Sequence, residues 1–297
     1  MLTMPIPQLV EKMAIPTVIT MLVTSVYGIA DMFFVSELGT SASAAVGIVF
    51  SIMTTIQALG FMLGMGAGSL ISRKLGEGKV QEAESLATVA FFSSLVGGLL
   101  LLAVGLQLKT ELMKFLGATA TILPFAEEFA HYILIAAPVM CGAFVLNILL
   151  RSQGKAKLSM IGLSTGGILN IILEPIFIFK LKMGIGGAAV ATCISQAVSF
   201  VILLSIYLAH KELARINLRL LPAALPRFFP KICASGGASL LRQSLVVVAN
   251  VLLNIHASAY GDAAVAGISI TSRVFLVQLP GVPIPKRTHG LVFCRSR

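Results

Sequence analysis

Seven long apolar blocks, each bounded by charged or glycine-rich segments, constrain the fold of this chain more than any other feature. They lie near residues 13–36, 44–71, 83–107, 125–150, 158–180, 185–209 and 234–257, and an eighth begins near Ala263 and stops early. A helix needs about 20 apolar residues to cross the hydrocarbon core of a bilayer. The sequence therefore predicts an all-α fold, a polytopic bundle of membrane-spanning helices.

Composition supports this prediction and excludes a soluble globular domain. Hydrophobic residues make up 57% of the chain and charged residues 11%, whereas soluble domains carry about 25% charged residues. The first apolar block has no short core followed by a small-residue cleavage site, so it is interpreted as a retained span rather than a signal peptide.

Basic residues are concentrated in alternate loops, which predicts the orientation of the chain. Short loops rich in Lys and Arg stay in the cytoplasm, so the N-terminus is expected inside the plasma (inner) membrane. The predicted inner segments hold Lys12, Arg73, Lys74, Lys79, Arg151, Lys155, Lys157, Lys211, Arg215, Arg219, Arg227 and Lys231, and the outer loops only Lys109, Lys114, Lys180 and Lys182. This distribution explains most of the net charge of +10 without a nucleic-acid partner.

Two carboxylates, Asp31 and Glu174, lie inside apolar blocks. An ionised acid at mid-membrane depth costs about 2.5 to 3.5 kcal/mol on insertion scales, and such residues mark pathways for ions or protons. We therefore expect a transporter. The structural alternative, an ion pair with a buried Arg or a helix cap, stays open at this point.

The fifth block places further oxygen atoms beside Glu174. Asn170 precedes Glu174 by four positions, so the two side chains share a helix face. Pro175 has no N–H to donate to the carbonyl of Ile171 and leaves that oxygen free. Such oxygen ligands suit a hard cation such as sodium, while two neighbouring acids equally favour holding a proton. For the polar uncharged side chains, interhelical hydrogen bonding is the alternative.

The chain resembles itself at a spacing of about 220 residues. Gly39–Ile48 and Gly261–Ile268 are similar, and each follows a long apolar block that begins after a Lys. Because six spans separate the copies, both enter the membrane in the same direction, which predicts parallel repeats. We expect a six-helix N-lobe in residues 1–210, a cytoplasmic linker in 211–231, and the start of an incomplete second lobe in 232–297. The linker is interpreted either as a surface amphipathic helix or as a plain loop, and the tail after Pro280 as a truncated or frameshifted end.

Five segments together resemble the multidrug and toxic compound extrusion family, over residues 8 to about 280. The segments are Gly28–Gly39, Gly64–Gly76 with Ser72 and Arg73, Leu150–Gly154, Leu169–Pro175 and Gly186–Thr192. Members of that family have twelve helices in two lobes and exchange sodium ions or protons for cationic, amphipathic drugs. The resemblance implies no cofactor, since the coupling ion is sodium or a proton.

The resemblance also assigns a cation site in the N-lobe. Its roles fall on Asp31, Asn170, Glu174 and Thr192, with Asn147 nearby, and the first four form a possible sodium site. The family more often has Asp where this chain has Glu174, which leaves the choice between sodium and proton open. Apolar neighbours of the acids, Met32, Phe33, Phe177 and Phe179, are candidates for the wall of a substrate cavity, with lipid-facing packing as the alternative.

The expected function is cation-coupled antiport that exports lipophilic cationic drugs by alternating access, inactive if the chain is truncated. The expected partners are small-molecule cationic drugs and the lipid bilayer, and the oligomeric state is left open. A flippase for lipid-linked saccharides, of a related fold, is the alternative, although the predicted spans contain acids and few bases. A membrane-embedded hydrolase is disfavoured because no nucleophile and base occur in a recognisable arrangement, so the chain is not expected to be an enzyme.

Overall fold

The computed structural model describes residues 6–210 and 214–278, and within that part the side chains of residues 15–210 and 214–271. Nine α-helices occur in it: α1 (Ile6–Ser36), α2 (Thr40–Gly76), α3 (Val80–Gln107), α4 (Lys109–Phe115), α5 (Leu123–Ser152), α6 (Ala156–Pro175), α7 (Gly184–Ala209), α8 (Leu221–Ser258) and α9 (Asp262–Gln278). A π-helical turn, Ile176–Lys180, follows α6, and a 3-10 turn, Leu218–Leu220, precedes α8.

The all-α membrane bundle is confirmed. Seven helices of the described residues are long and apolar enough to span a bilayer, and they match the seven apolar blocks. The short helix α4 was not predicted, because its seven residues carry two lysines and a glutamate and have no long apolar run. Glycines make the tight turns between spans: Gly78 and Gly154 adopt positive φ angles of 75° and 81°, which other residues rarely adopt.

Helix α5 is the centre of the bundle and packs against α2, α3 and α7. Its apolar window is the most buried of the seven candidate spans, at 78%. Helix α1 lies at the periphery on α6, and α6 in turn packs on α7. Residues 15–209 thus hold six spans packed together, as expected for the predicted N-lobe.

Helices α8 and α9 pack on the N-lobe chiefly through α2. Helix α8 crosses α2 where Gly66 faces the backbone of Ile232 and Gly236 faces the backbone of Met62. Helix α9 lies on α2 with α1 on one side and α8 on the other. Only 11% of the apolar window of α8 is buried in this structure, so most of its length is exposed.

The predicted linker, 211–231, is partly helical. Residues 211–213 lie outside the described residues, while residues 221–231 form the first turns of α8. Arg227 and Lys231 place their charges over the ring of Phe228, at 5.1 and 5.8 Å from its centroid, which is a cation–π arrangement. The expected aberrant tail, from 281 onward, also lies outside the described residues.

Candidate cation site

Two adjacent glycines on α6 let two other helices approach it closely. A Cβ atom on Gly166 would lie 3.0 Å from the carbonyl oxygen of Ser195 on α7. A Cβ atom on Gly167 would lie 3.2 Å from Cγ1 of Val23 on α1. Small residues permit such close packing of membrane helices. Helix α6 is therefore held between α1 and α7, one turn before Asn170.

Antiparallel contacts between α6 and α7 bring Asn170 to Thr192. Ser199 Oγ donates a hydrogen bond to the carbonyl of Gly162 at 2.7 Å, near the start of α6. Two turns further along, Asn170 Nδ2 donates to Thr192 Oγ1 at 3.1 Å. The two hydrogen bonds fix the register of the helices. The predicted pairing of Asn170 with Thr192 in one place is therefore present.

Helix α1 packs on α6 in a parallel register. Val23 lies against Gly167, and further along both helices the rings of Phe34 and Phe179 meet at 6.4 Å between centroids. Asp31 lies between these two contacts on α1, and Glu174 lies between them on α6. The packing therefore places both acids on the stretch where α1 and α6 face each other.

Four polar side chains predicted for the site are buried. The exposed fraction is 3% for Asp31, 2% for Asn170, 0% for Glu174 and 1% for Thr192. Asn170 Oδ1 is buried and has no hydrogen-bond partner among the described residues. Since a buried acceptor without a partner is costly, this oxygen is suited to a cation. Its role as a ligand stays a prediction.

The backbone changes conformation directly beside Glu174. Pro175 ends α6 because it has no N–H for the helical ladder, and Ile176 N–H donates to the carbonyl of Leu173. The following π-turn closes with Leu181 N–H on the carbonyl of Ile176 at 3.0 Å. Short π segments occur often at functional sites. The sequence signal for it was Pro175 within an apolar block, which predicted a disturbed ladder but not a π-turn.

Asn147 lies apart from the other predicted ligands. Its Nδ2 donates to Ser159 Oγ at 2.7 Å and to the Ser159 carbonyl at 3.3 Å. Ser159 lies in the first turn of α6, eleven residues before Asn170, which corresponds to about 16 Å along a helix. The structure thus shows Asn147 as a link between α5 and the start of α6, and its proposed place beside the cation stays a prediction.

The four apolar candidates for a cavity wall differ in exposure. Met32 is buried, at 5% exposed, whereas Phe33 is 61% and Phe179 45% exposed. Phe177 is half-buried, and a Cβ atom on Gly187 of α7 would lie 2.9 Å from its backbone carbonyl. Sequence reasoning missed the glycines and serines that set the helix spacing, namely Gly162, Gly166, Gly167, Ser195 and Ser199. The consecutive glycines in an apolar block were the available signal.

Comparisons with known proteins agree with this architecture. The multidrug export protein MepA of Staphylococcus aureus is 27% identical over 97% of this chain, and MepA of Staphylococcus saprophyticus is 28% identical over 94%. The solved structure of the MATE multidrug transporter DinF-BH, determined in complex with a drug, superposes with a TM-score of 0.88 at 28% identity, over 94% of this chain and 63% of that one.

The chain spans 63% and 61% of the lengths of the two MepA proteins. The sequence profile described as MatE matches residues 16–176, which is more than half of the 297 residues. This match covers α1 to α6 and includes Asp31, Asn170 and Glu174. The chain is thus an integral membrane protein and belongs to the MatE family of multidrug and toxic compound extrusion transporters.

Proposed function

We propose that the chain acts as a cation-coupled antiporter that exports lipophilic cationic drugs across the plasma membrane by alternating access, with its N-terminus in the cytoplasm. The observation that carries the proposal is the set of Asp31, Asn170, Glu174 and Thr192, all buried within membrane-spanning helices. Buried ionisable groups at membrane depth mark ion and proton pathways. The relatives, a multidrug export protein and a multidrug transporter with a bound drug, support a drug as the substrate.

In this mechanism the coupling ion, sodium or a proton, is bound where α1, α6 and α7 meet. Asn170 Nδ2 is engaged by Thr192, so its Oδ1 is oriented toward the ion together with the carboxylates of Asp31 and Glu174. Bound cation lowers the net negative charge of the site. Coupling requires that the ion binds one conformation of the bundle more tightly than the other, because equal affinity shifts no equilibrium.

Export measurements with neutralised acids test this proposal. Cells without other efflux pumps would express the chain alone, or completed with the C-terminal third of MepA, and ethidium accumulation would be recorded. Asp31→Asn and Glu174→Gln are expected to raise ethidium accumulation to the level of cells without the chain. Glu111→Gln is the matched control, since Glu111 is 74% exposed at its side chain and pairs with Lys114 near a loop; it should export normally.

The proposal is rejected if the completed chain exports no ethidium, or if the neutralised and control forms export equally well. The coupling ion is identified in the same cells. Export that follows an imposed sodium gradient at constant pH indicates sodium, and export that follows a pH gradient without sodium indicates a proton. Glu174→Asp, which restores the acid more usual in the family, is expected to keep export and shift this preference.

A further inference from the structure

A positively charged side chain, Arg242, lies halfway across the membrane on α8. Its neighbour Gln243 donates a hydrogen bond from Nε2 to Gln57 Oε1 at 3.4 Å. Gln57 lies near the middle of α2, which runs from Thr40 to Gly76 and is long enough to cross the whole bilayer. Arg242 is therefore at about the same depth as the centre of α2.

The direction of Arg242 follows from its position on the turns of α8. Ser235 precedes it by two turns and Leu253 follows by three turns, so the three residues share one flank of the helix. Ser235 Oγ is hydrogen-bonded to Ser69 Oγ of α2 at 2.8 Å. Leu253 lines a small cavity between α2, α8 and α9. Arg242 therefore lies on the flank of α8 that faces α9.

This flank borders a groove on the surface of the bundle. Helix α9 lies on α2 between α1 and α8, and it begins at Asp262, beside the Thr40 end of α2. Toward the other end, α1 and α8 form the walls and α2 the floor. Met65 of α2 is 49% exposed there, and Ser69 is also exposed. The groove thus offers both apolar and polar surface at mid-membrane depth.

The charge of Arg242 has no counter-charge within the described residues. Its side chain is exposed and forms no hydrogen bond or ion pair with any of them. None of residues 263–297 is acidic, and the membrane acids Asp31 and Glu174 are buried at the α1–α6 contact. An arginine stays protonated at any physiological pH. Held at this depth, it needs a water-filled cavity or an anionic partner.

We propose that Arg242 binds the carboxylate of transported molecules, so that zwitterionic amphipathic drugs are preferred substrates of this chain. The inference rests on the proposed export function. A guanidinium group matches a carboxylate with two parallel hydrogen bonds. Met65 supplies apolar contact for a ring system, and Gln57 lies next to the charge. The substrate's cationic end then lies on the side of the groove walled by α1, away from Arg242.

A pair of dyes that differ in one group tests the inference. A rhodamine ethyl ester is a cation, while the same dye with a free carboxyl group is a zwitterion. Binding of each dye to the purified chain would be measured by fluorescence anisotropy, in nanodiscs of neutral lipid. Arg242→Gln is expected to weaken binding of the acid dye about tenfold, as for the loss of one charge-assisted contact, and to leave ester binding unchanged. Arg242→Lys should lose less.

Arg219→Gln is the control, because Arg219 is exposed in the 3-10 turn outside the groove; it should bind both dyes normally. Equal effects of Arg242→Gln on both dyes, or no effect on either, would overturn the inference. A third outcome also overturns it: if acid-dye binding in the unaltered chain falls on addition of anionic lipid, and Arg242→Gln removes that competition without weakening the dye, Arg242 binds a lipid phosphate instead.

Failure of this inference is distinguishable from failure of the proposed function. Binding is measured on purified protein and does not require export. In cells, Glu174→Gln is expected to stop export of both dyes, whereas Arg242→Gln stops only that of the acid dye. Loss of ester export in Arg242→Gln, with normal dye binding, would show that Arg242 acts in the transport cycle and not in substrate selection.

Discussion

At the residue scale, Asn170 joins two functions in one amide group. Its Nδ2 is held by Thr192 at 3.1 Å, and its Oδ1 is buried without a hydrogen-bond partner among the described residues. The first contact orients the second atom. A site built this way has its ligand oxygen positioned before the ion arrives, which lowers the cost of binding.

Substitution of Thr192 tests this orientation. In Thr192→Val the acceptor is lost, the amide of Asn170 is free to rotate, and the coupling ion is expected to bind about tenfold more weakly, the value of about 1.4 kcal/mol in affinity. Thr192→Ser keeps the hydroxyl and should behave like the unaltered chain. The measurement is the ion concentration that gives half-maximal export.

Thr165→Val serves as control, because the Thr165 hydroxyl is exposed and bonds only the carbonyl of Ile161 within α6. Equal half-maximal concentrations for Thr192→Val and Thr165→Val would contradict the role of Thr192. Glu174 and Asn170 were predictable from their spacing of four. Thr192 followed only from the family resemblance, since no local pattern on α7 pointed to α6.

At the element scale, the crossing of α2 and α8 depends on glycine. A Cβ atom on Gly236 would collide with the backbone carbonyl of Met62, whereas a Cβ atom on Gly237 would meet nothing within 4 Å. The two neighbours on one helix thus form a natural matched pair.

Gly236→Ala is expected to destabilise the protein by about 1 to 3 kcal/mol, as typical of overpacking. Gly237→Ala should be neutral or stabilise the helix by up to about 1 kcal/mol, because alanine restricts the unfolded chain and favours the helix. Thermal unfolding of the purified variants in detergent measures both. A lower melting temperature for Gly237→Ala than for Gly236→Ala would refute the crossing.

A second link between elements is made by Asp262 at the start of α9. Its carboxylate accepts hydrogen bonds from Thr121 at 2.6 Å, Thr119 at 2.8 Å and Ser41 at 2.9 Å. These hydroxyls, from Thr121 first, then Thr119 and Ser41, hold the pKa of the Asp262 carboxyl below its ordinary value of 3.8. The cluster ties α9 to the start of α2 and to the loop before α5.

The lowered pKa predicts how this link responds to acid. Since the folded pKa of Asp262 is depressed, its stabilising contribution is complete above the ordinary pKa and is lost as the pH falls below about 3.8 toward the folded value. Unfolding temperatures measured from pH 6 to pH 3 should fall less steeply for Asp262→Asn than for the unaltered chain. Parallel curves for the two proteins would show that the carboxylate contributes nothing.

At the scale of the whole molecule, the orientation in the membrane is a direct test of the charge distribution. In a chain whose cysteines are replaced, Lys182→Cys and Lys79→Cys probe loops on opposite sides, beside α7 and α3. If the N-terminus is cytoplasmic, an impermeant maleimide added to intact cells labels Lys182→Cys and spares Lys79→Cys until the cells are opened. The reverse labelling pattern would invert the topology and the proposed direction of transport.

The sequence by itself determined the helical membrane fold, its seven spans and the two acids that stand out within them. These follow from hydropathy, because a bilayer accepts only long apolar segments with satisfied backbones and makes each buried charge conspicuous. Only the tertiary structure decided which helices meet. It joined Asn170 to Thr192, kept Asn147 with Ser159 instead, and laid α8 and α9 on α2. Hydropathy is alike on all apolar faces, so helix pairing depends on close approach at a few small residues such as Gly166, and that is a property of the packed bundle.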